Sequence, residues 1–483
     1  MDKLTQLLAI VGVIAYWLIL AAIGIRIVIK RRSIGVSFAW LLIIYFLPFA
    51  GIFAYMLFGE LNLGKTRASR AKAMFEPYAE WFNKLYSHSS HQPQNQSNYA
   101  TTISNLCNSQ LHIPSLVSNE LALQNTPDQI LRSIISDIEQ AQEQIHMAFY
   151  IWHAGGLADE VVQALLDAAQ RGVQVRVLLD AAGSRPFFKS ALPKKMQQAG
   201  IDIRPALQVS PLRMFFRRLD LRLHRKVVVI DNVIGYTGSM NLVDPQYFKQ
   251  DSGVGQWVDV MVRVTGPVVP VLNCIFAWDW EVETSERVKP EHPTLAQCSP
   301  TTSLVQTIPS GPGMPEDVIH QVLLQSLYQA QKRVVITTPY FVPSDNLIDA
   351  LVTASLRGVD VNIIIPKDND SIMVKWASSS FFSELLDAGV KIHQFAGGLL
   401  HTKSVLMDDE HCLIGTVNID MRSLWLNFEL TLAVDDVQFC QKLAQLQQQY
   451  IEQSQTVDID EWRSRPVYKR FVEQFFYLFS PLL

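Results

Sequence analysis

One pattern of reactive residues occurs twice in this chain, and that duplication constrains its fold more than any other feature. The first copy is HRKVVVID, with His224, Lys226 and Asp231, and the second is HTKSVLMD, with His401, Lys403 and Asp408. At identical spacing behind them come GSMN, with Gly238, Ser239 and Asn241, and GTVN, with Gly415, Thr416 and Asn418. A single His-x-Lys says little, because residues two apart on a strand merely share a face. A core histidine beside a snorkelling lysine explains one copy equally well. Agreement at His, Lys, Asp, Gly, hydroxyl and Asn in one register is not explained that way.

The likeness extends to the surroundings. AQEQIHMAFYIW and RGVQVRVLLD precede the first copy, and AQKRVVITTPYF and RGVDVNIIIP precede the second. Each pair predicts strand, helix, strand. The intervening helices, DEVVQALLDAAQ and DNLIDALVTASL, carry apolar residues at helical spacing and open on an Asp that suits the N-terminal dipole. Such alternation predicts an α/β fold of two tandem repeats, with mixed, mostly parallel sheets packed about a pseudo-two-fold active site. Behind the motifs, WVDVMVRV and FELTLAV align Asp259 with Glu429. A carboxylate in a buried strand is costly without a partner. The expected partner is a reactive histidine, whose tautomer the carboxylate would fix; a purely structural ion pair is the alternative.

Within each copy the strand period of two puts His and Lys on one face. The Gly lets backbone approach a ligand closely, and the Ser or Thr and the Asn supply neutral donors. One copy therefore makes half of a phosphodiester site. Two copies face to face would hold a phosphate between Lys226, Lys403, Asn241 and Asn418, with Ser239 and Thr416 as further phosphate donors and a histidine on either side for in-line displacement. No metal or cofactor is expected, because the lysines supply the positive charge that a metal would bring.

The N-terminus points to a membrane. Leu4 to Ile25 and Val36 to Phe58 are apolar stretches of about the length a span requires, joined by a basic turn containing Arg26, Lys30, Arg31 and Arg32. A cleaved signal peptide fits poorly, since the start carries only Asp2 and Lys3, shows no small-residue cleavage site and runs straight into a second stretch. Lys65, Arg67, Arg70 and Lys72 follow the second stretch, so basic residues on the two sides nearly balance and leave orientation open. The expected organisation is a two-helix transmembrane hairpin over 1–60, a juxtamembrane segment and linker over 61–115, a first repeat over 116–290, and a second repeat with an interfacial tail over 291–483.

Polar stretches over 87–98 and 288–302 read as loose linkers, and SGPGMPED (Ser310 to Asp317) reads as a turn, because it lacks the Gly-Lys-Ser/Thr ending of a phosphate loop. PLRMFFRRLDLRL (Pro211 to Leu223) and KRFVEQFFYLF (Lys469 to Phe479) interleave aromatic and basic side chains, as segments at a lipid headgroup boundary do. A formal net charge of -4 argues against nucleic acid as a general partner. Five scattered cysteines without CxxC spacing imply neither a disulfide framework nor a zinc site.

The strings HRKVVVIDNVIGYTGSMNLVDP, TTPYFVPSD, GGLLHTKSVLMD and GTVNIDMRSLWLNFE, with the two-stretch N-terminus, resemble the bacterial cardiolipin synthases of the phospholipase D, or HKD, superfamily. The resemblance covers the whole chain apart from the linkers. It implies a multi-pass enzyme of the bacterial inner membrane that transfers a phosphatidyl group between two phosphatidylglycerol molecules, giving cardiolipin and glycerol through a phosphatidyl-histidine intermediate. It implies His224 as nucleophile and His401 as acid and base, the reverse remaining open in so symmetric a site, with Asp231 and Asp408 bracing the strand and its lysine. Partners are then phosphatidylglycerol and an anionic bilayer, with a homo-oligomer left open. A phospholipase D hydrolase or a phosphatidylserine synthase would use the same residues with another acceptor. A dead scaffold would have lost a His or Lys.

Overall fold

β-Branched and apolar runs on either side of the motifs form the strands of two sheets. A computed structural model describes residues 3–29, 34–59, 65–88, 97–208, 220–290, 303–315 and 317–480. In the first sheet the strands are β1 (Glu120–Gln124), β2 (Gln144–Phe149), β3 (Gln174–Asp180), β4 (Asp202–Ala206), β5 (Val227–Ile230), β6 (Ile234–Gly238) and β7 (Met261–Thr265). The second contains β8 (Leu304–Ser310), β9 (Arg333–Thr337), β10 (Asp360–Pro366), β11 (Lys391–Phe395), β12 (Ser404–Met407), β13 (His411–Gly415), β14 (Glu429–Asp435) and β15 (Ser454–Thr456).

The spatial orders are β1-β7-β6-β5-β2-β3-β4 and β8-β14-β13-β12-β9-β10-β11-β15, so the second sheet repeats the first strand for strand and adds an edge strand. The sheets are mixed, as expected, but not mostly parallel. Only the runs β2-β3-β4 and β9-β10-β11 are parallel; the other neighbours pair antiparallel. Connection length decides this. Strands joined through helices such as Leu157–Gln170 and Asp345–Leu356 can return parallel, whereas β5-β6 and β12-β13 are joined by tight turns. Asp231 and Asn232 in the first turn, and Asp408 and Asp409 in the second, all have φ between 51° and 59°. Two successive left-handed residues make a hairpin turn whose twist matches the strands, and Asp and Asn tolerate that conformation best after Gly.

The two repeats, with the helices just before them, form one compact unit, and the N-terminal apolar helices belong to another. In the larger unit the first sheet packs against its crossover helices through Met147, Phe149, Val161, Leu165, Val177 and Val228, all buried. The region expected to be a linker contains two ordered helices, Lys65–His88 and Asn98–Leu111. Tyr78 donates to Glu281 Oε2 at 3.3 Å, and Tyr99 donates to Asp408 Oδ2 at 2.8 Å, so these helices brace both repeats. Ser310 closes β8, and Gly311 (φ 124°) and Pro312 to Met314 form the turn expected there.

In the N-terminal unit, Lys3–Ile29 is one helix, and its stretch Thr5–Ile29 is, among the described helices, the one both long and apolar enough to cross a membrane. The second expected span is not one continuous helix. It divides into Ile34–Phe46 and Pro48–Phe58. Pro48 has no N–H and clashes with a helical predecessor, and Leu47 accordingly leaves the α region (φ -129°, ψ 65°). Ile27, Ile44 and Tyr55 form the small buried core of this unit. The basic turn at 30–32, most of the segment 211–223 and most of the two polar linkers lie outside the described residues.

Candidate active site

Each motif histidine lies on an extended segment that leaves its own sheet and pairs with the other repeat. Leu223 bridges in parallel to Phe428, the His224 N–H donates to Phe428 O at 2.9 Å, and the Phe428 N–H donates to Arg222 O at 2.9 Å. In the same way Leu399 and Leu400 pair with Trp257 and Val258, and the His401 N–H donates to Val258 O at 2.8 Å. The exchange carries each imidazole to the carboxylate of the opposite repeat. His224 Nδ1 donates to Glu429 Oε2 at 2.9 Å, and His401 Nδ1 donates to Asp259 Oδ1 at 2.7 Å. With Nδ1 holding the proton, Nε2 of each ring keeps the lone pair. The sequence predicted a histidine partner for these carboxylates; that the partner comes from the other repeat is a tertiary fact with no local signal.

The hydroxyls are committed elsewhere than expected. Ser239 Oγ donates to Asp259 Oδ1 at 2.6 Å and accepts the Val260 N–H at 2.9 Å. Thr416 Oγ1 donates to Glu429 Oε2 and accepts the Leu430 N–H at 2.8 Å. A hydroxyl has one proton to give, and here each, expected as a phosphate donor, is directed to the carboxylate that holds the other repeat's histidine. Asn241 Oδ1 accepts the Ile151 N–H at 3.2 Å, so its oxygen is held by the backbone of the first repeat. Asn418 is also buried at the site, its Oδ1 without a hydrogen-bond partner among the described residues.

Lys226 and Lys403 are buried, and each ammonium donates to the carbonyl of its own motif histidine, at 2.7 and 2.6 Å. Burial pulls Lys226 down to about 8 and Lys403 to about 7, against the pull of Glu429 and Asp259. Burial likewise lowers His224 and His401 to about 4; the facing carboxylates resist, while the lysines of both repeats add to the fall. Burial alone would raise Glu429 and Asp259, but their histidine partners and the lysines hold both below the usual carboxylate range. Two neutral imidazoles and two ammonium groups near the edge of deprotonation thus share one buried place. An anion among them favours the protonated form of every one.

Asp231 and Asp408 lie at the far ends of the motif strands, roughly 16 Å of extended chain from the lysines. Asp231 accepts the N–H groups of Gln142, Glu143 and Gln144 at 2.8 to 2.9 Å. Asp408 accepts those of Gln331, Lys332 and Arg333 at 2.7 to 3.0 Å. Each fastens the head of the neighbouring central strand, β2 or β9, so what they brace is the adjacent strand.

Three neighbours of the site gave no signal in the sequence. Arg225, fully buried between His224 and Lys226, donates to Glu429 O at 2.9 Å, Asp279 Oδ1 at 2.6 Å and Ser310 O at 3.1 Å, tying the first motif to the second repeat. Its counterpart, Thr402, makes only a long bond to Val258 O at 3.3 Å and one to Tyr450. Tyr150 stands edge-on to His224 with ring centroids 5.1 Å apart, and Trp257 lies 4.3 Å from His401.

Comparison with known proteins agrees with this geometry. A family described as cardiolipin synthase, PLD-like domain, matches residues 134–280 and 323–451, and a phospholipase D-nuclease N-terminal family matches residues 19–60. Proteins named cardiolipin synthase A from Yersinia pseudotuberculosis and Yersinia pestis are each 52% identical over 476 residues, covering 98% of both chains. The crystal structure of phosphatidylserine synthase from Haemophilus influenzae superposes with a TM-score of 0.57 at 16% identity, over 80% of this chain and 98% of that one, a likeness of fold. On the repeated sheet, the paired motifs and these matches together, the chain belongs to the cardiolipin synthase family of the phospholipase D superfamily.

Proposed function

We propose that the protein is a phosphatidyltransferase that makes cardiolipin and glycerol from two molecules of phosphatidylglycerol. The observation that carries this reading is the reciprocal pairing of two imidazoles, each oriented by a carboxylate and each with Nε2 unprotonated, around two buried lysines. Lys226, Lys403, Asn241 and Asn418 neutralise and orient the phosphate oxygens. One Nε2 attacks phosphorus and the bond to the departing glycerol oxygen breaks as the opposite histidine, its pKa raised by the bound anion, supplies the proton. That histidine then removes the proton from the terminal hydroxyl of the second lipid, whose oxygen displaces the first imidazole. Asp259 and Glu429 fix the tautomers and stabilise the imidazolium forms. Purified protein given phosphatidylglycerol alone should yield cardiolipin and an equal amount of glycerol by lipid mass spectrometry; phosphatidic acid as the sole product would make it a hydrolase.

The membrane is the second element of this reading. The helix Thr5–Ile29 suits a span by length and composition, and the bent path Ile34 to Phe58 is about 37 Å of helix, enough to return across a bilayer core of about 30 Å. These features support reading the N-terminus as a two-pass hairpin in the bacterial inner membrane. At the other terminus the helix Val467–Tyr477 exposes Val467, Tyr468, Phe471 and Phe475, and Leu478 just beyond continues the stripe; together they cover one face about 100° wide. On the opposite side Glu473 is buried in a pair with Arg465 at 2.7 Å, which fixes the helix with its aromatic face outward. Exposed Arg470 lies about 60° around the helix from Val467, next to one edge of that face. An apolar face with a basic border fits an anionic lipid surface.

A further inference from the structure

The two sides of the site are alike in the reacting residues and unlike around them. By strand alternation Arg222 shares the face of His224 and Lys226, and the position matching it in the second repeat is Leu399, which is buried and apolar. Arg422 follows the GTVN motif at the position where the first repeat has Pro245. The backbone brings the two arginines together: the Asn427 N–H donates to Arg422 O, and the next residue, Phe428, donates its N–H to Arg222 O, both at 2.9 Å. Tyr150, edge-on to His224, completes the group. Burial and then Asp180 raise the Tyr150 phenol, while the charges of Arg222 and Arg422 oppose the rise, Arg222 also through a hydrogen bond to that hydroxyl. Around His401 the corresponding space holds Trp257 and Phe248. The lysine there, Lys249, is paired with Asp370 at 3.1 Å.

We infer that Arg222, Arg422 and Tyr150 bind the phosphodiester of the second lipid, the acceptor, beside His224. The inference rests on the phosphatidyltransferase reading above and adds to it the side on which each lipid sits. Phosphatidylglycerol used as acceptor differs from water or glycerol in carrying a phosphate a short glycerol spacer away from its attacking hydroxyl. A guanidinium offers five donors in a planar fork whose geometry matches phosphate oxygens. In-line displacement requires the acceptor to approach phosphorus from the side opposite the covalent bond. An acceptor held beside His224 therefore places the phosphatidyl group on His401, the reverse of the sequence-based expectation. The acceptor oxygen forms its bond to phosphorus, the P–Nε2 bond to His401 breaks with its electron pair returning to the ring, and the hydroxyl proton passes to His224.

The test compares two acceptors with full-length protein in phosphatidylglycerol micelles. Exchange of labelled glycerol into phosphatidylglycerol needs the donor half-reaction and an acceptor without phosphate; cardiolipin formation needs the acceptor phosphate as well. Arg222→Gln and Arg422→Gln should each lower cardiolipin formation about tenfold or more, as expected for loss of a charge-assisted phosphate contact, while glycerol exchange changes less than about threefold. Retained exchange also shows that the variants are folded. Peptide mass spectrometry of briefly incubated wild-type protein should find the adduct on His401. Equal loss of both reactions in the Gln and in the conservative Arg→Lys variants, loss of neither, or an adduct on His224 would each overturn the inference. Wild-type protein that exchanges glycerol but forms no cardiolipin would instead overturn the parent reading.

Discussion

At the scale of single residues, the site divides into groups that react and groups that hold them. His224→Ala and His401→Ala should each abolish turnover, since nucleophile and acid act as one unit. Asp259→Asn and Glu429→Gln should lower kcat at least tenfold with little change in KM, because each carboxylate is bonded to an imidazole and in the proposed mechanism acts through it. Ser239→Ala gives the sharpest contrast. If its hydroxyl serves Asp259, kcat falls and KM for phosphatidylglycerol holds; a rise in KM alone would return it to the phosphate. The lysines set the pH dependence. Lys403 near 7 and Lys226 near 8 are charged below those values and neutral above. Binding an anion draws protons onto them, so affinity is greatest at lower pH, and KM should climb as pH rises through about 7 to 8. A KM flat from pH 6 to 9 would mean that the lysines stay charged throughout.

At the scale of elements, the turn aspartates and the terminal helix invite separate tests. Asp231→Ala and Asp408→Ala each release three backbone N–H groups at the head of a central strand. Stability should fall by about 1 to 3 kcal/mol in thermal or denaturant unfolding, with residual activity tracking the folded fraction. Phe471→Asp, on the exposed face of Val467–Tyr477, should raise the apparent KM for phosphatidylglycerol in mixed micelles and leave kcat in place; an unchanged KM would detach that helix from the lipid. Much of this architecture was readable in advance. Strands such as β5 and β12 announce themselves as unbroken apolar runs, and the crossover helices by their spacing. The sense of strand pairing was less visible, because it depends on whether the connection is a helix or a three-residue turn, and the Asp231-Asn232 pair looks like any polar pair until its φ angles are known. The broken second apolar helix was signalled by Pro48 alone. The hydrogen bonds of Ser239 and Thr416 could not be read at all, since a hydroxyl beside a Gly suits a phosphate and a carboxylate equally.

At the scale of the whole molecule, the larger unit is one body built from two copies of a sheet, and the proposed chemistry lies where the copies exchange segments. Mixing the His224→Ala and His401→Ala proteins should restore no cardiolipin synthesis, because each site takes both histidines from one chain. Recovered activity would mean that two chains trade repeats. The reciprocal pairing has a further consequence for how such a chain can change over generations. A half that kept its histidine but lost its carboxylate would leave the other half's imidazole unsupported and so disable the one site that both share, which ties the two halves together at these positions and leaves them independent elsewhere. A one-copy forebear could work only as two identical chains, which must present the same groups to both lipids. Two copies within one chain carry no such obligation, and Arg222 opposite Leu399, with Arg422 opposite Pro245, is where the halves differ.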